Sequence, residues 1–329
     1  MGLPGCERST PGHPPGAPWR SSEIPDSGSA AATAAVSVKG LRKNYGQVEA
    51  VRGIDLEIGR GQIVALLGPN GAGKTTAMEI IEGLRQADAG EVLVLGERPE
   101  RARRRVGVQL QEGALYDNLT CAETISLFGR LYGWEADPLA LLRLVDLEEV
   151  AGRRTQRLSG GQKRRLQLAL TLCNEPELVI LDEPTTGLDP LSRRQTWAMI
   201  RDLHRRGRTV LLTTHYIEEA EQLAQWVYII DRGLVVAAGA PATLIAELGS
   251  APTISVSGPA QPSLDDLPGV QRARHHDGRW ELQGEQVGAI LRGLNQRLGE
   301  AALRDISVRP PSLEDVFLAR TGHSIEPEP

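Results

Sequence analysis

Residues 68–75 read GPNGAGKT, a run of glycines ending on a lysine and a hydroxyl. Residue types at this spacing suit a polyphosphate. Glycine lets the backbone wrap closely around phosphate oxygens. Amides at a helix start point toward an anion, and the helix dipole favours negative charge there. On this reading Gly68, Pro69, Asn70, Gly71, Ala72 and Gly73 line the phosphates. Lys74 reaches the β- and γ-phosphates, Thr75 offers a hydroxyl to Mg²⁺, and Thr76 sits beside it. The bland alternative is a glycine-rich turn with an incidental lysine. The chain has 36 glycines but only four lysines (Lys39, Lys43, Lys74 and Lys163), so a chance match is rare.

These residues need elements to hold them. Ile63–Leu67 is apolar throughout and reads as a buried strand entering the loop. Residues 75–82 read as a helix leaving it. Ile54–Ile58 alternates as a half-buried strand does, and Glu91–Leu95 is a strand bounded by Gly90 and Gly96. Apolar spacing predicts helices over 121–133 and 138–150. Leu178–Leu181 is a short continuous apolar run, typical of a central parallel strand, and it ends on Asp182 and Glu183. Thr209–Thr213 and Val227–Ile230 are further strands, with helices over Arg193–Leu203 and Tyr216–Ala224. Strands alternating with helices imply an α/β fold with a mainly parallel sheet. A carboxylate at a strand's ligand-binding end, such as Asp182, can hold Mg²⁺ directly or through water. The competing reading, a solvated pair of acids, fits poorly with an apolar strand running into them.

Composition bounds the possibilities. The 329 residues allow two domains, or one with an appendage. The net charge of −5 argues against nucleic acid as a partner. No stretch approaches the roughly 18 apolar residues of a membrane span. Cys6, Cys121 and Cys173 are far apart, without a C-x-x-C pair, and suggest neither a disulfide framework nor a zinc site.

Along the chain, residues 1–34 are rich in Pro, Gly, Ser and Ala and read as a disordered N-terminal tail. Residues 35–250 form the main α/β domain, which carries the phosphate loop. Residues 251–321 form a small C-terminal α/β domain, with strands over Thr253–Val256, Arg279–Leu282 and Leu303–Val308 and a helix over Val287–Leu298. Ser312 and Asp315 have the spacing of a capping box. Residues 322–329 read as a frayed tail.

The phosphate loop is followed by LSGGQ at 158–162, Asp182-Glu183 at a strand end and His215 after the next strand. In order and spacing these motifs resemble the ATP-binding cassette (ABC) family over residues 36–245. The resemblance implies a P-loop cassette: a mainly parallel core sheet, an antiparallel β subdomain and a helical subdomain, with the C-terminal appendage added. It makes Glu183 the general base for the attacking water and His215 a γ-phosphate contact. It makes Gln111 the glutamine that meets Mg²⁺ or the attacking water. Alone, His215 and Gln111 would pass for a structural histidine and a surface amide. The resemblance also assigns Tyr45 to stacking on adenine, against the alternative of an ordinary core or surface tyrosine, and Asp189 of GLD (187–189) to the D-loop. Ser159, Gly160, Gly161 and Gln162 open a helix and so make a second anion-binding end. In the family, two cassettes pack head to tail and each signature caps the other's ATP. The implied partners are therefore a second ATPase subunit, here a homodimer, and a membrane permease, with the chain peripheral on the cytoplasmic face.

The segment PSLEDVFLARTG (311–322) resembles the C-terminal segment of drug-exporter ATPase subunits of the daunorubicin-resistance group, and TTGLDP (185–190) suits that group. Gln167 departs from it, standing where acidic residues are common. The resemblance implies export of a drug, antibiotic, lipid or glycan. The alternatives are an importer ATPase, or a soluble ABC ATPase without transport. Gly113–Leu127 is the expected docking segment for the permease.

Overall fold

The computed structural model describes residues 34–109, 115–133, 137–260, 263–299 and 302–325. All but the last residue of the expected N-terminal tail lie outside these residues, as do Gln111, Gly113 and Cys6. The chain divides into two compact units. One comprises the residues up to Ala240 together with Arg320 onward; the other is Pro241–Ala319.

The first unit is built on a six-stranded sheet in the order β5-β6-β7-β3-β8-β9. Its strands are β3 (Ile63–Leu67), β5 (Val106–Gln109), β6 (Leu178–Asp182), β7 (Thr209–Thr214), β8 (Trp226–Asp231) and β9 (Leu234–Gly239). All neighbours run parallel except β8 and β9. Strands β3, β6 and β7 are buried along their whole length. A sheet covered on both faces explains why their sequences are runs rather than alternations.

A three-stranded antiparallel sheet joins β1 (Ala34–Tyr45), β2 (Val48–Gly59) and β4 (Ala89–Val94) in the order β2-β1-β4. Its inward residues, among them Val36, Val38, Leu56 and Ile58, share one apolar core with β3 and with helix α1 (Lys74–Ile81). A single turn, α2 (Pro99–Ala102), precedes β5. Helices α3 (Cys121–Tyr132), α4 (Pro138–Leu144) and α5 (Gly160–Leu170) pack on one another. The expected helix over 138–150 stops early. Asp146 takes φ 52°, and the amides of Asp146 and Leu147 turn back onto the carbonyls of Arg143 and Leu142, a C-terminal cap of the Schellman kind. Helices α6 (Pro190–Arg205) and α7 (Ile217–Leu223) flank β7. No helix among the described residues is long and apolar enough to cross a membrane.

The second unit begins with α8 (Pro241–Leu248). Its antiparallel sheet runs β11-β12-β10-β13, from β10 (Thr253–Ser257), β11 (Arg272–His276), β12 (Arg279–Gln283) and β13 (Ser307–Arg309). Helix α9 (Val287–Leu298) closes a core of Ile254, Val256, Trp280, Leu282, Ile290 and Leu294. The expected strand over 303–308 is corrected: residues 302–305 form a 3-10 turn, and only Ser307–Arg309 pair, with β10. At the start of α10 (Leu313–Thr321), the Asp315 carboxylate accepts from the Ser312 amide at 2.8 Å. The tail reading differs from the structure over 322–325. Ile325 is buried, and His323 Nε2 lies 3.3 Å from Asp231 Oδ2 at the end of β8.

Candidate functional site

Strand register assembles the site. In the parallel ladder Asp182 lies level with Thr213, and Thr214 with Leu67. The next residues on the three strands, Glu183, His215 and Gly68, therefore emerge at one edge of the sheet, where ligands bind in such folds.

The phosphate loop is held by its neighbours' backbone. A side chain at Gly68 would place Cβ 2.1 Å from the Ile230 carbonyl, and one at Gly73 would place it 2.3 Å from the Ala50 carbonyl. Gly73 also takes φ 100° at the cap of α1 and contributes no side-chain cap, which leaves the first-turn amides for an anion. The Gly233 amide donates to Ala72 O, so the β8–β9 turn supports the loop from behind. Thr75 is exposed on the first turn and Thr76 half-buried. Lys74 is only 4% exposed; its Nζ donates to Gly68 O at 2.7 Å and Pro69 O at 2.9 Å. Burial pulls its pKa below the usual lysine value, against the charges of Glu183 and Asp182.

The acidic pair is buried as well. Thr213 Oγ1 donates to Asp182 Oδ1 and accepts from the Glu183 amide at 3.0 Å, fixing both residues with one hydroxyl. Burial pushes the Asp182 carboxyl up, and the Thr213 bond opposes the shift. Glu183 takes φ 46°, a left-handed conformation uncommon for a side-chain-bearing residue. Its Oε1 lies 3.9 Å from Lys74 Nζ and 3.3 Å from His215 Nδ1. The His215 approach is too far off line for a hydrogen bond. Thr186 Oγ1 donates to Glu183 Oε2 at 3.0 Å. A buried carboxylate between an ammonium and an imidazole is equipped to orient and deprotonate water beside a bound phosphate.

The signature forms a separate, exposed end. Ser159 caps α5: its hydroxyl accepts from the Gln162 amide at 3.2 Å, and Gln162 Oε1 accepts from the Ser159 amide at 3.0 Å. Ser159 and Gly160 are exposed, and nothing lies within 4 Å of a Cβ built on Gly160. Asp189 caps α6 through the amides of Leu191 and Ser192, both at 3.0 Å. The two ends meet where Gly161 abuts the Ser192 side chain. Tyr45 ends β1, 40% exposed, with the Arg85 guanidinium 5.2 Å from its ring centroid. The same hairpin carries Ala50, which abuts Gly73.

Sequence reading missed three supports of the site. Thr213 is one. Glu219 is the second: wholly buried, it accepts from Thr185 Oγ1 at 2.8 Å and Trp197 Nε1 at 2.9 Å, tying the segment after Glu183 to α6 and α7. Burial pushes its carboxyl up. Arg164 on α5 is the third, donating to the backbone of the acidic strand end. The available signal was weak: a carboxylate one helical turn after His215, and a charged residue on a helix face that has to pack.

The family profile described as ABC transporter matches residues 51–186. The Nod factor export ATP-binding protein I of Paraburkholderia xenovorans is 39% identical over 307 residues, spanning 89% of this chain and 99% of that protein. This chain belongs to the ABC transporter family. The relative of the same name from Burkholderia thailandensis is 40% identical over 89% of this chain and 99% of its own length. Among solved structures, an ATP-binding subunit of an ABC transporter matches with TM-score 0.58 and 30% identity, over 65% of this chain and 93% of that one. The structure of cbiO1 from Clostridium perfringens, part of the cbiONQ complex, matches with TM-score 0.60 and 27% identity, over 65% and 92%. A dimeric ATP-binding cassette in a post-hydrolysis state, bound to ADP and Pi, matches with TM-score 0.57 and 27% identity, over 62% and 98%. As a member of this ABC family the chain is the ATP-binding, ATP-hydrolysing subunit of a transporter, which places its membrane-crossing part in a partner.

Proposed function

We propose that two copies of this chain close head to tail on two ATP molecules and drive an exporter through a separate membrane permease, peripheral to its cytoplasmic face. The carrying observation is Glu183 Oε1 held between Lys74 and His215 at the ends of adjacent parallel strands. In this reading the amides of residues 68–76 and the Lys74 ammonium bind the phosphates, and Tyr45 stacks on adenine. Glu183 takes the proton of the attacking water. His215 and Gln111 orient water and γ-phosphate. Asp189 and residues 159–162 complete the site of the partner copy.

Oxygen donors of the kind Mg²⁺ prefers converge on the same edge: the Thr75 hydroxyl and the Asp182 carboxylate, with Gln111 proposed as a third. Among the described residues no cluster of three acidic, His or Cys side chains could enclose a metal. That suits an ion shared with substrate phosphates rather than a closed protein cage. Bound there, Mg²⁺ would neutralise charge on the phosphate oxygens.

The exporter assignment rests on relatives that match this chain nearly end to end, appendage included, and are named for Nod factor export. Residues 311–322 resemble the C-terminal segment of drug-exporter subunits of the daunorubicin-resistance type, which supports the same reading. A drug, antibiotic, lipid or glycan is therefore the proposed class of cargo.

The direct test is Glu183→Gln. Turnover should fall about 10³-fold while ATP affinity stays within about twofold, and size-exclusion chromatography should show an ATP-dependent dimer. A variant that stays monomeric with ATP would refute the sandwich. Co-purification with a permease from membranes would show the pairing, and ATP-driven uptake of cargo into inside-out vesicles carrying the pair would separate export from import.

A further inference from the structure

We propose that Arg164 is a positioning residue that couples the exposed signature end of one chain to the hydrolytic carboxylate of the same chain. The inference rests on the head-to-tail reading above. Arg164 lies on the helix that Ser159 caps, five residues further along. Its guanidinium spans the strand end that carries Asp182 and Glu183. Nη2 donates to Asp182 O at 3.1 Å and Glu183 O at 2.6 Å, and Nε donates to Pro184 O at 2.9 Å. These are consecutive carbonyls, and the middle one belongs to the residue at φ 46°. A left-handed non-glycine residue is strained and persists where its surroundings hold it. A planar, always charged fork of donors suits that task, whereas lysine offers only a point charge. The carboxylates nearby keep the cation in place against the burial that disfavours it.

The consequence follows from which nucleotide each end meets. The Ser159 hydroxyl and the amides of Gly160 and Gly161 would contact the γ-phosphate of ATP on the partner's phosphate loop, while Glu183 serves ATP on its own. A shift of α5 as its N-terminus engages one nucleotide moves the guanidinium, and with it the backbone that aims Glu183 at the other. One ATP is thereby sensed at the opposite site through a single rigid helix. Gly161 abutting Ser192 carries the same displacement to Asp189 and α6.

The test compares the full-length parent with Arg164→Met and Arg164→Lys, measuring ATP affinity, turnover against ATP concentration and melting temperature. The expected result is ATP affinity within about twofold of the parent, turnover lowered about tenfold or more, and a Hill coefficient dropping from about 2 toward 1. Arg164→Lys should behave nearer to Met than to the parent, because it keeps charge but not the fork. Should Met lower the melting temperature enough to unfold the chain, Lys carries the test alone. Unchanged turnover and Hill coefficient in a folded Lys variant overturns the inference, as does a loss of turnover fully matched by a loss of ATP affinity. A parent with no cooperativity and no ATP-dependent dimer sinks the sandwich reading and the inference together. A cooperative parent with an unaltered variant sinks the inference alone.

Discussion

The two ends of the site are built in opposite ways. At the strand end, Lys74, Asp182 and Glu183 are 4–6% exposed, their pockets made by backbone carbonyls and threonine hydroxyls of the same chain. At the signature end, Ser159 and Gly160 are exposed, and a capping box satisfies the helix start without a charged side chain. Burial tunes charge: it lowers the Lys74 pKa and raises that of Asp182. The exposed end instead presents backbone dipoles, which need no tuning but act only once another surface excludes water from them. Chemistry is stored where one chain can bury it, and on the proposed head-to-tail pairing recognition is left where a second chain completes it.

That contrast can be broken experimentally. Lys74→Ala should weaken ATP binding about a hundredfold, since a charge-assisted contact to phosphate is lost; equilibrium binding with a fluorescent ATP analogue would measure it. Gly68→Ala should destabilise the fold by about 1–3 kcal/mol, because its methyl meets the Ile230 carbonyl and backbone must move; urea unfolding reads this out. Gly160→Asp should do the reverse. Its side chain meets nothing in its own chain, and an acid suits a helix start, so the melting temperature should hold. Turnover should nonetheless fall about tenfold from repulsion of the partner's phosphate. A stable Gly68→Ala or an unstable Gly160→Asp would undo the distinction.

The smallest effect concerns Glu82, at the end of α1. Burial, with Asp182 and Glu79 adding to it, pushes its carboxyl from 4.5 up to about 8, and its Oε1 is buried without a hydrogen-bond partner. Below pH 4.5 both folded and unfolded chains hold the proton, and the group has no net effect. As pH rises from 4.5 toward 8 only the unfolded chain releases it, so the folded state loses ground. Glu82→Gln should therefore leave acid stability alone and add stability near neutrality. Thermal melts at pH 5 and 7.5 would show it, and an equal gain at both would contradict it.

Contiguity decided what was legible in the sequence. The phosphate loop, the signature and the acidic strand end are short runs whose chemistry is complete within a few residues, and the all-buried strands are plain apolar runs. Arg164, Thr213 and Glu219 act across separations of 18 to 34 residues that only the folded sheet closes. Strand β11 escaped notice because its sequence, RARHH, alternates exposed with half-buried positions and carries almost no apolar signal. The strand expected over 303–308 failed for the opposite reason: Leu303, Ile306 and Val308 supply apolar signal, yet residues 302–305 fold into a turn and only Ser307–Arg309 pair. Gln111 lies outside the described residues, so its role rests on the family pattern alone.

Cys121 and Cys173 are fully buried in the helical region, and burial pushes the Cys173 thiol up to about 12. Only thiolate reacts with maleimides and similar labels. In a Cys6→Ser background the cassette is thus close to silent toward thiol reagents without further engineering. One cysteine introduced at Gly160 and another at Tyr45 would each take a dye selectively. Energy transfer between two labelled copies could then time the closing and reopening of the pair through a single round of ATP hydrolysis.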